Sequence, residues 1–360
     1  MKQSIKHKSK KNNKTRKNNK PFYTLVFGTR PEFLKMKSLI LEFYKKKTLP
    51  FQVIYIKQHK NITGLKLPNI VYKTIEIEEN SKKYRMQDVA SQISNKLPKL
   101  LGNTTHIIVQ GDTETAFVAA FVAFQMKIKI IHIEAGLRTY NLEKPFPEEG
   151  QRQMISRIAS YNFTPHKDSE KLLKKEHVSG KIYNVGNTII DLIKSYNLNV
   201  KHGNEIIITL HRRENWDSIE LFIKHLNILV DKYNDLKFIW FMHPNKDIQK
   251  IVKKNINSKV ILEEPLEHEE FAKRIATCYA LLTDSGGIQE EASFLGKQCI
   301  VLRTSTERDH IKYPYIQTIE SFEDINSIFG RLKNKLLPPS YVYGKGDSSE
   351  KIYVILKSIS

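Results

Sequence analysis

The chain has 360 residues, 40% of them hydrophobic and 27% charged, with a formal net charge of +21. That size suits two domains, each able to bury a core. No run of ~18 apolar residues occurs, which excludes an ordinary membrane-spanning helix, and no apolar leader stands at the start, so no secretory signal is expected.

Residues 1–20 hold eight lysines, one arginine and no acid. Their one aliphatic residue, Ile5, cannot offset the entropy of ordering them, so a disordered basic tail is expected. It is either a solvated extension or a weak contact for a polyanion. The two cysteines, Cys278 and Cys299, sit in apolar surroundings. Buried thiols in a reducing, cytoplasmic setting fit better than a disulfide framework or a zinc site.

From Pro21 the pattern becomes regular. An apolar strand is expected at 22–27, then a helix with Pro31 in its first turn. Strands follow at 51–57, 106–110 and 129–134, with a helix over 116–126. The rhythm restarts at 206–210 and continues with strands at 238–242, 259–262, 280–284 and 298–302. Helices are expected around 217–233, 245–254, 267–276 and 287–295. Strands alternating with helices argue for parallel α/β units in two successive halves. Residues 21–195 would form the first and 196–339 the second, joined through the polar stretch 197–205.

Ligands of open α/β sheets bind beyond the carboxyl ends of strands, so the residues there carry the functional information. Gly28-Thr29-Arg30-Pro31-Glu32, with Lys35 a turn later, reads either as a tight turn with solvated charges or as an anion-binding helix start. Asp112 follows the strand 106–110, where it could be a helix cap or an acid of the site. Glu134 ends an apolar run, where a carboxylate needs a partner or a task. Glu148 and Glu149 open a helix and could simply serve its dipole. In the second half, His211-Arg212-Arg213 suits a diphosphate, since arginine forks match phosphate oxygens, although a lone histidine is more often structural. His243 and Asn245 follow the strand 238–242. Ser285-Gly286-Gly287 opens a helix with free N–H groups, a natural phosphate cradle. No Walker A, GxGxxG, GxSxG or metal-ligand spacing is present, so no metal and no cofactor is expected.

Taken together, FGTRPEFLKM (27–36), QGDTETA (110–116), HIEAGLRT (132–139), PFPEEGQRQMISRIA (145–159), GNTIID (186–191), TLHRREN (209–215), HPN (243–245), DSGGIQEEASFLGK (284–297) and TSTERD (304–309) resemble the non-hydrolysing UDP-N-acetylglucosamine 2-epimerase family. The resemblance spans about residues 22–310. It implies a GT-B-like fold: two Rossmann-type domains facing a cleft, with the segment 340–360 crossing back onto the first. It implies Asp112, Glu134 and Glu148 as catalytic carboxylates, and His211 as a fixed cation assisting departure of UDP. Arg30, Lys35, Arg138, Arg212, His243, Asn245, Phe271, Ser285, Gly286, Gly287, Glu291 and Arg308 would bind the UDP-sugar. Within that set Phe271 meets the uracil and Glu291 the ribose. A homodimer is implied, and no membrane partner. Two departures stand out. Thr-Gly is lost before Gln58-His59, which argues against the family's allosteric UDP-sugar site, and Gln151 replaces an asparagine. The same core motifs serve sister substrates, a UDP-linked 6-deoxy-L-hexose or 2,3-diacetamido uronic acid. A GT-B glycosyltransferase or a UDP-sugar-binding protein is the alternative of another class.

Overall fold

The computed structural model describes residues 20–58, 65, 67, 69–78, 85–212, 215–303, 308 and 310–360. The basic tail up to Asn19, His59-Lys60, Arg213-Glu214 and 304–307 lie outside the described residues.

Thirteen strands, β1 to β13, form two parallel sheets among the described residues. The first comprises β1 (Tyr23–Phe27), β2 (Phe51–Lys57), β3 (Tyr72–Glu76), β4 (His106–Gln110), β5 (Lys129–Ile133), β6 (Tyr161–Thr164) and β7 (Lys181–Asn184), ordered β3-β2-β1-β4-β5-β6-β7. The second comprises β8 (Glu205–Thr209), β9 (Lys237–Phe241), β10 (Ile261–Glu263), β11 (Ala280–Thr283), β12 (Gln298–Val301) and β13 (Ile316–Thr318), ordered β10-β9-β8-β11-β12-β13. Every residue of β1 and β4 is buried. Apolar side chains on both faces of a strand require cover on both faces, and helices supply it. Each sheet accordingly separates two apolar clusters.

The strand order reverses beside β1 in the first sheet and beside β8 in the second. A crevice opens at such a switch point, beyond the carboxyl ends of the strands. The two crevices face one another. The helix after β1, Arg30–Lys46, is fixed by a reciprocal cap: Thr29 Oγ1 accepts from the Glu32 amide, and Glu32 Oε2 accepts from the Thr29 amide at 2.7 Å. Glu32 also accepts from Gly28 N at 3.1 Å and Thr113 Oγ1 at 2.7 Å. The turns after β1 and β4 are thus held together.

The C-terminal helix Ser348–Ser358 packs on Arg30–Lys46, with the Tyr353 ring 5.1 Å from Phe43. Asp191 anchors its start by accepting from Ser348 N at 3.0 Å and Ser349 N at 2.6 Å.

The parallel two-sheet α/β class agrees with the sequence reading. Strands β3, β6, β7 and β13 add to those expected from the sequence. β3 and β7 are sheet edges with one neighbour, so YKTIE and KIYN need little apolar content. β6, YNFT, hides its polar Asn162 and Thr164 completely. The 259–262 strand is displaced to Ile261–Glu263.

Two histidines inside the first sheet make stability depend on acid. His106 is 4% exposed and His132 fully buried. Burial lowers each imidazolium to about 4. Their contribution is complete above the ordinary histidine range near 6.5 and is lost as pH falls from there toward 4. Each is worth on the order of 3 kcal/mol across that window. Urea midpoints should therefore drop steeply between pH 7 and 4. His106→Gln should remove about one proton from the uptake on unfolding; an unchanged slope would refute the assignment.

Candidate active site

Two adjoining cavities of about 530 and 490 Å³ lie between the sheets and share Lys35, His211, Ser285 and Gly287. The first is mainly apolar and includes Arg30, Leu266, Phe271, Ile288 and Glu291. The second is polar, with Asp112, Glu134, Glu148, Arg212, Gly286 and Arg308 in its wall.

Glu134 is the centre of the polar cavity. It follows β5 with φ of +63°, a left-handed conformation costly for a side chain with a Cβ. The Ala135 amide donates to Phe163 O at 3.0 Å, which ties the turn to β6. Lys35 Nζ donates to both Glu134 oxygens, at 2.7 and 2.5 Å, and Asn187 Nδ2 donates to Oε2 at 2.8 Å. Arg308 Nη2 stands 3.7 Å away. Burial works to raise the Glu134 pKa, but the Lys35 and Arg308 charges overcome it and hold the group below the usual carboxylate range.

Asp112 pairs with Arg152, which also reaches Glu149 at 3.4 Å. The two helix-start acids divide their work. Glu149 is fully buried and accepts from Thr139 N at 2.9 Å and Tyr140 N at 3.1 Å, so it fastens the loop after Glu134. Glu148 faces the cavity, and its Oε2 is buried without a hydrogen-bond partner. A lone buried carboxylate oxygen is costly and points to a ligand.

On the opposite wall, Asp284 shapes the turn after β8. It is fully buried and accepts from His211 N at 3.0 Å, Arg212 N at 2.8 Å and Asn215 Nδ2 at 3.0 Å. The His211 ring lies 5.5 Å from that of His243, which packs 5.1 Å from Trp216. Burial lowers the His211 pKa despite the pull of Asp284. Desolvation thus favours the neutral imidazole where the resemblance implies a fixed cation. Gly286 opens the helix Gly286–Phe294, and a Cβ there would come within 2.8 Å of Arg308 Nη1. Glycine is what lets that guanidinium lie against the helix start.

In the apolar cavity, Phe271 meets Phe241 edge-on at 5.2 Å, and Glu291 Oε1 is 3.1 Å from His268 Nε2. Arg30 Nη2 reaches across the mouth to Glu267 at 2.8 Å.

Three expected residues line neither cavity: His243 stands behind His211, and Arg138 and Asn245 do other work. Arg138 has a fully buried side chain that donates to Glu176 at 2.8 and 2.9 Å and turns away from both cavities. Asn245 caps the helix Lys246–Asn255, its Oδ1 accepting from Asp247 N at 2.8 Å and Ile248 N at 3.3 Å. Sequence reasoning passed over Arg152, Asn187, Asp284, Glu290 and His268. All but His268 belong to the quoted motifs, yet nothing in a linear pattern shows which charges converge. No cluster of three or more potential metal ligands occurs among the described residues.

Two Rossmann-type sheets around a shared polar cleft define a GT-B-like α/β protein. The family model for UDP-N-acetylglucosamine 2-epimerase matches residues 42–357, and the chain belongs to that family. The UDP-N-acetylglucosamine 2-epimerase of Campylobacter jejuni is 34% identical, covering 92% of this chain and 96% of its own. That of Bacillus subtilis is 32% identical over 91% and 92%. A solved Neisseria meningitidis UDP-GlcNAc 2-epimerase bound to UDP-GlcNAc superposes with a TM-score of 0.85 at 32% identity, covering 94% of this chain and all of that one. The Methanocaldococcus jannaschii UDP-GlcNAc 2-epimerase in complex with UDP-GlcNAc and UDP gives 0.80 at 29%, over 94% and 99%.

The buried Arg138–Glu176 pair predicts a separable effect. Arg138→Ala leaves the part-buried Glu176 its hydrogen bond from the Tyr140 hydroxyl and should cost about 2 kcal/mol of stability. The affinity for UDP, measured by calorimetry, should stay within about twofold. A large loss of UDP affinity in a folded variant would return Arg138 to the binding site.

Proposed function

We propose that the protein inverts C2 of a UDP-2-acetamido sugar, converting UDP-N-acetylglucosamine to UDP-N-acetylmannosamine. The observation that carries this reading is the grouping of Asp112, Glu134 and Glu148 in one polar cavity opposite Arg308 and the start of helix Gly286–Phe294. The relatives named above and their bound ligands support it.

The C2 proton lies beside no carbonyl, so direct removal to a carbanion is unfavourable. Elimination avoids the carbanion. A carboxylate takes the C2 proton, the C–H pair becomes the C1=C2 bond, and the C1–O pair leaves with UDP. UDP oxygen then attacks C1 of the glycal while a second acid delivers a proton to the other face of C2. Two faces require two proton-transfer groups, and three carboxylates are at hand. Arg308, the Ser285 hydroxyl and the amides of Gly286 and Gly287 receive the diphosphate charge, with Arg212 on the same wall and Arg30 at the mouth. Neutral His211 donates a hydrogen bond to the leaving oxygen, with His243 beside it. The apolar cavity takes the nucleoside, with uracil on Phe271 and the ribose hydroxyls on Glu291.

The protein works as a homodimer. Phe117, Phe121 and Phe124 share one face of the helix Glu114–Gln125, and Phe121 and Phe124 are 44% and 54% exposed. An aromatic row of this kind suits an isologous interface. The buried free thiols Cys278 and Cys299 fit a cytoplasmic setting.

Proton NMR in heavy water with UDP-N-acetylglucosamine should show the C2 epimer carrying deuterium. Sugar transfer to an acceptor with no label at C2 would sink the reading, and a panel of UDP sugars would expose a sister substrate. Asp112→Asn, Glu134→Gln and Glu148→Gln should each lower kcat by about 100-fold or more; near-normal turnover in all three would reject the assignment. In sedimentation, Phe121→Glu with Phe124→Glu should give monomers, and an unchanged dimer would exclude this face.

A further inference from the structure

Behind the cavity wall lies a carboxylate that lines neither of the two cavities. Glu290 is fully buried. Its Oε1 accepts from Arg308 Nε at 2.9 Å, and its Oε2 accepts from Asn187 Nδ2 at 2.6 Å. The same Asn187 nitrogen donates to Glu134 at 2.8 Å. A primary amide has two N–H bonds, so Asn187 spends one on each carboxylate. Its carbonyl oxygen meanwhile accepts from Ile189 N at 3.4 Å and caps the helix Thr188–Ser195.

We propose that Glu290 is a positioning residue of the reaction, gripping Arg308 and Asn187 at once and so setting where both stand against Glu134. The proposal rests on the reading of Glu134 as a proton-transfer group. Glu134 and Lys35 belong to the first half and Glu290 and Arg308 to the second. The bridge therefore holds the carboxylate on one wall in register with the phosphate-binding arginine on the other. A misplacement of 1 Å at such a site costs about 100-fold in rate.

The charges around Glu290 make this grip sensitive to pH. Lys35 faces it from the helix Arg30–Lys46, Glu134 from the turn after β5, and Arg308 from beyond β12. The neighbouring Glu291 on its own helix is turned to His268 at 3.1 Å. Burial raises Glu290 to about 7, helped by the Glu134 charge and opposed by Arg308 and Lys35. Above that pH both oxygens accept. Below it, a proton occupies one of them and the grip on Arg308 or Asn187 is lost.

The test is Glu290→Gln, assayed for C2 epimerisation across pH 5.5 to 8.5 beside the wild type. The expected result is a 10- to 100-fold lower kcat with KM within about threefold. The wild-type fall in kcat below neutrality should also vanish in the variant. A merely structural role would lower the melting temperature and leave the shape of the pH profile intact. Unchanged kcat, or a retained inflection, overturns the proposal. If Glu290→Gln does not fold, Asn187→Ser keeps a good helix cap while removing the two-armed amide. It should lower kcat by a similar factor without loss of UDP affinity, and wild-type kcat in that variant overturns the proposal. A wild-type protein that epimerises no UDP-2-acetamido sugar overturns the functional reading and this one with it, whereas normal wild-type turnover with an unaffected variant overturns this one alone.

Discussion

The cleft depends on one buried electrostatic arrangement: Glu134 clasped by Lys35 at 2.7 and 2.5 Å, with Asn187, Glu290 and Arg308 around it. Any of these charges alone would be expelled from so dry a place, because desolvation outweighs what a single weak partner returns. Two cations and a bridging amide offset much of that penalty: Glu134 stays ionised, while burial still raises Glu290 to about 7. They do so only if two separate sheets meet in one register. The cluster therefore ties the two halves together across the cleft.

The backbone brings these groups together by simple means. Parallel strands end at switch points, and Asp112, Glu134, Asn187, His211 and Ser285 each sit one to three residues past a strand, while Lys35, Glu290 and Arg308 follow within eight. Glu134 takes the left-handed conformation immediately after β5, which turns its carboxylate toward the cleft. The Thr29–Glu32 cap fixes the helix that carries Lys35, and Asp284 fixes the turn that carries His211. Each of these devices is local, and each serves a contact that is not.

That division explains what could be read in advance. The doubly apolar strands and the position of Glu134 at a strand end follow from local rules, so the two-halved parallel architecture was visible in the sequence. Edge strands such as Tyr72–Glu76 were not, because a strand with one neighbour needs no apolar signature. Partner choice was equally hidden. Arg138 lies in the same loop as Glu134, yet its guanidinium is taken by Glu176, 38 residues away in sequence. Asn245 looked like a ligand-binding residue and is a helix cap. His211 looked cationic beside its arginines, but burial decides its charge. A motif reports that residues occur together, whereas only the fold reports which way they face.

The three cavity carboxylates stand in three different settings, and this asymmetry bears on chemistry. Glu134 is saturated with cations and amide, which keeps it ionised and restrains its motion. Asp112 leans on Arg152, which Glu149 steadies from behind. Of the three, Glu148 presents a buried oxygen that no described residue satisfies. Groups of one chemical type can serve opposite proton-transfer roles only if their surroundings make them unequal. An ionised, clamped carboxylate suits stabilising positive charge that develops at the sugar, or accepting a proton once Lys35 is drawn toward an arriving diphosphate. An unsatisfied oxygen suits a hydrogen bond to the substrate itself. Binding would then redistribute the cations from Glu134 to the diphosphate, raising the basicity of that carboxylate only when a leaving group is in place. On the proposed mechanism, the Lys35 and Arg308 charges that keep Glu134 ionised would withhold proton abstraction until a diphosphate draws them away.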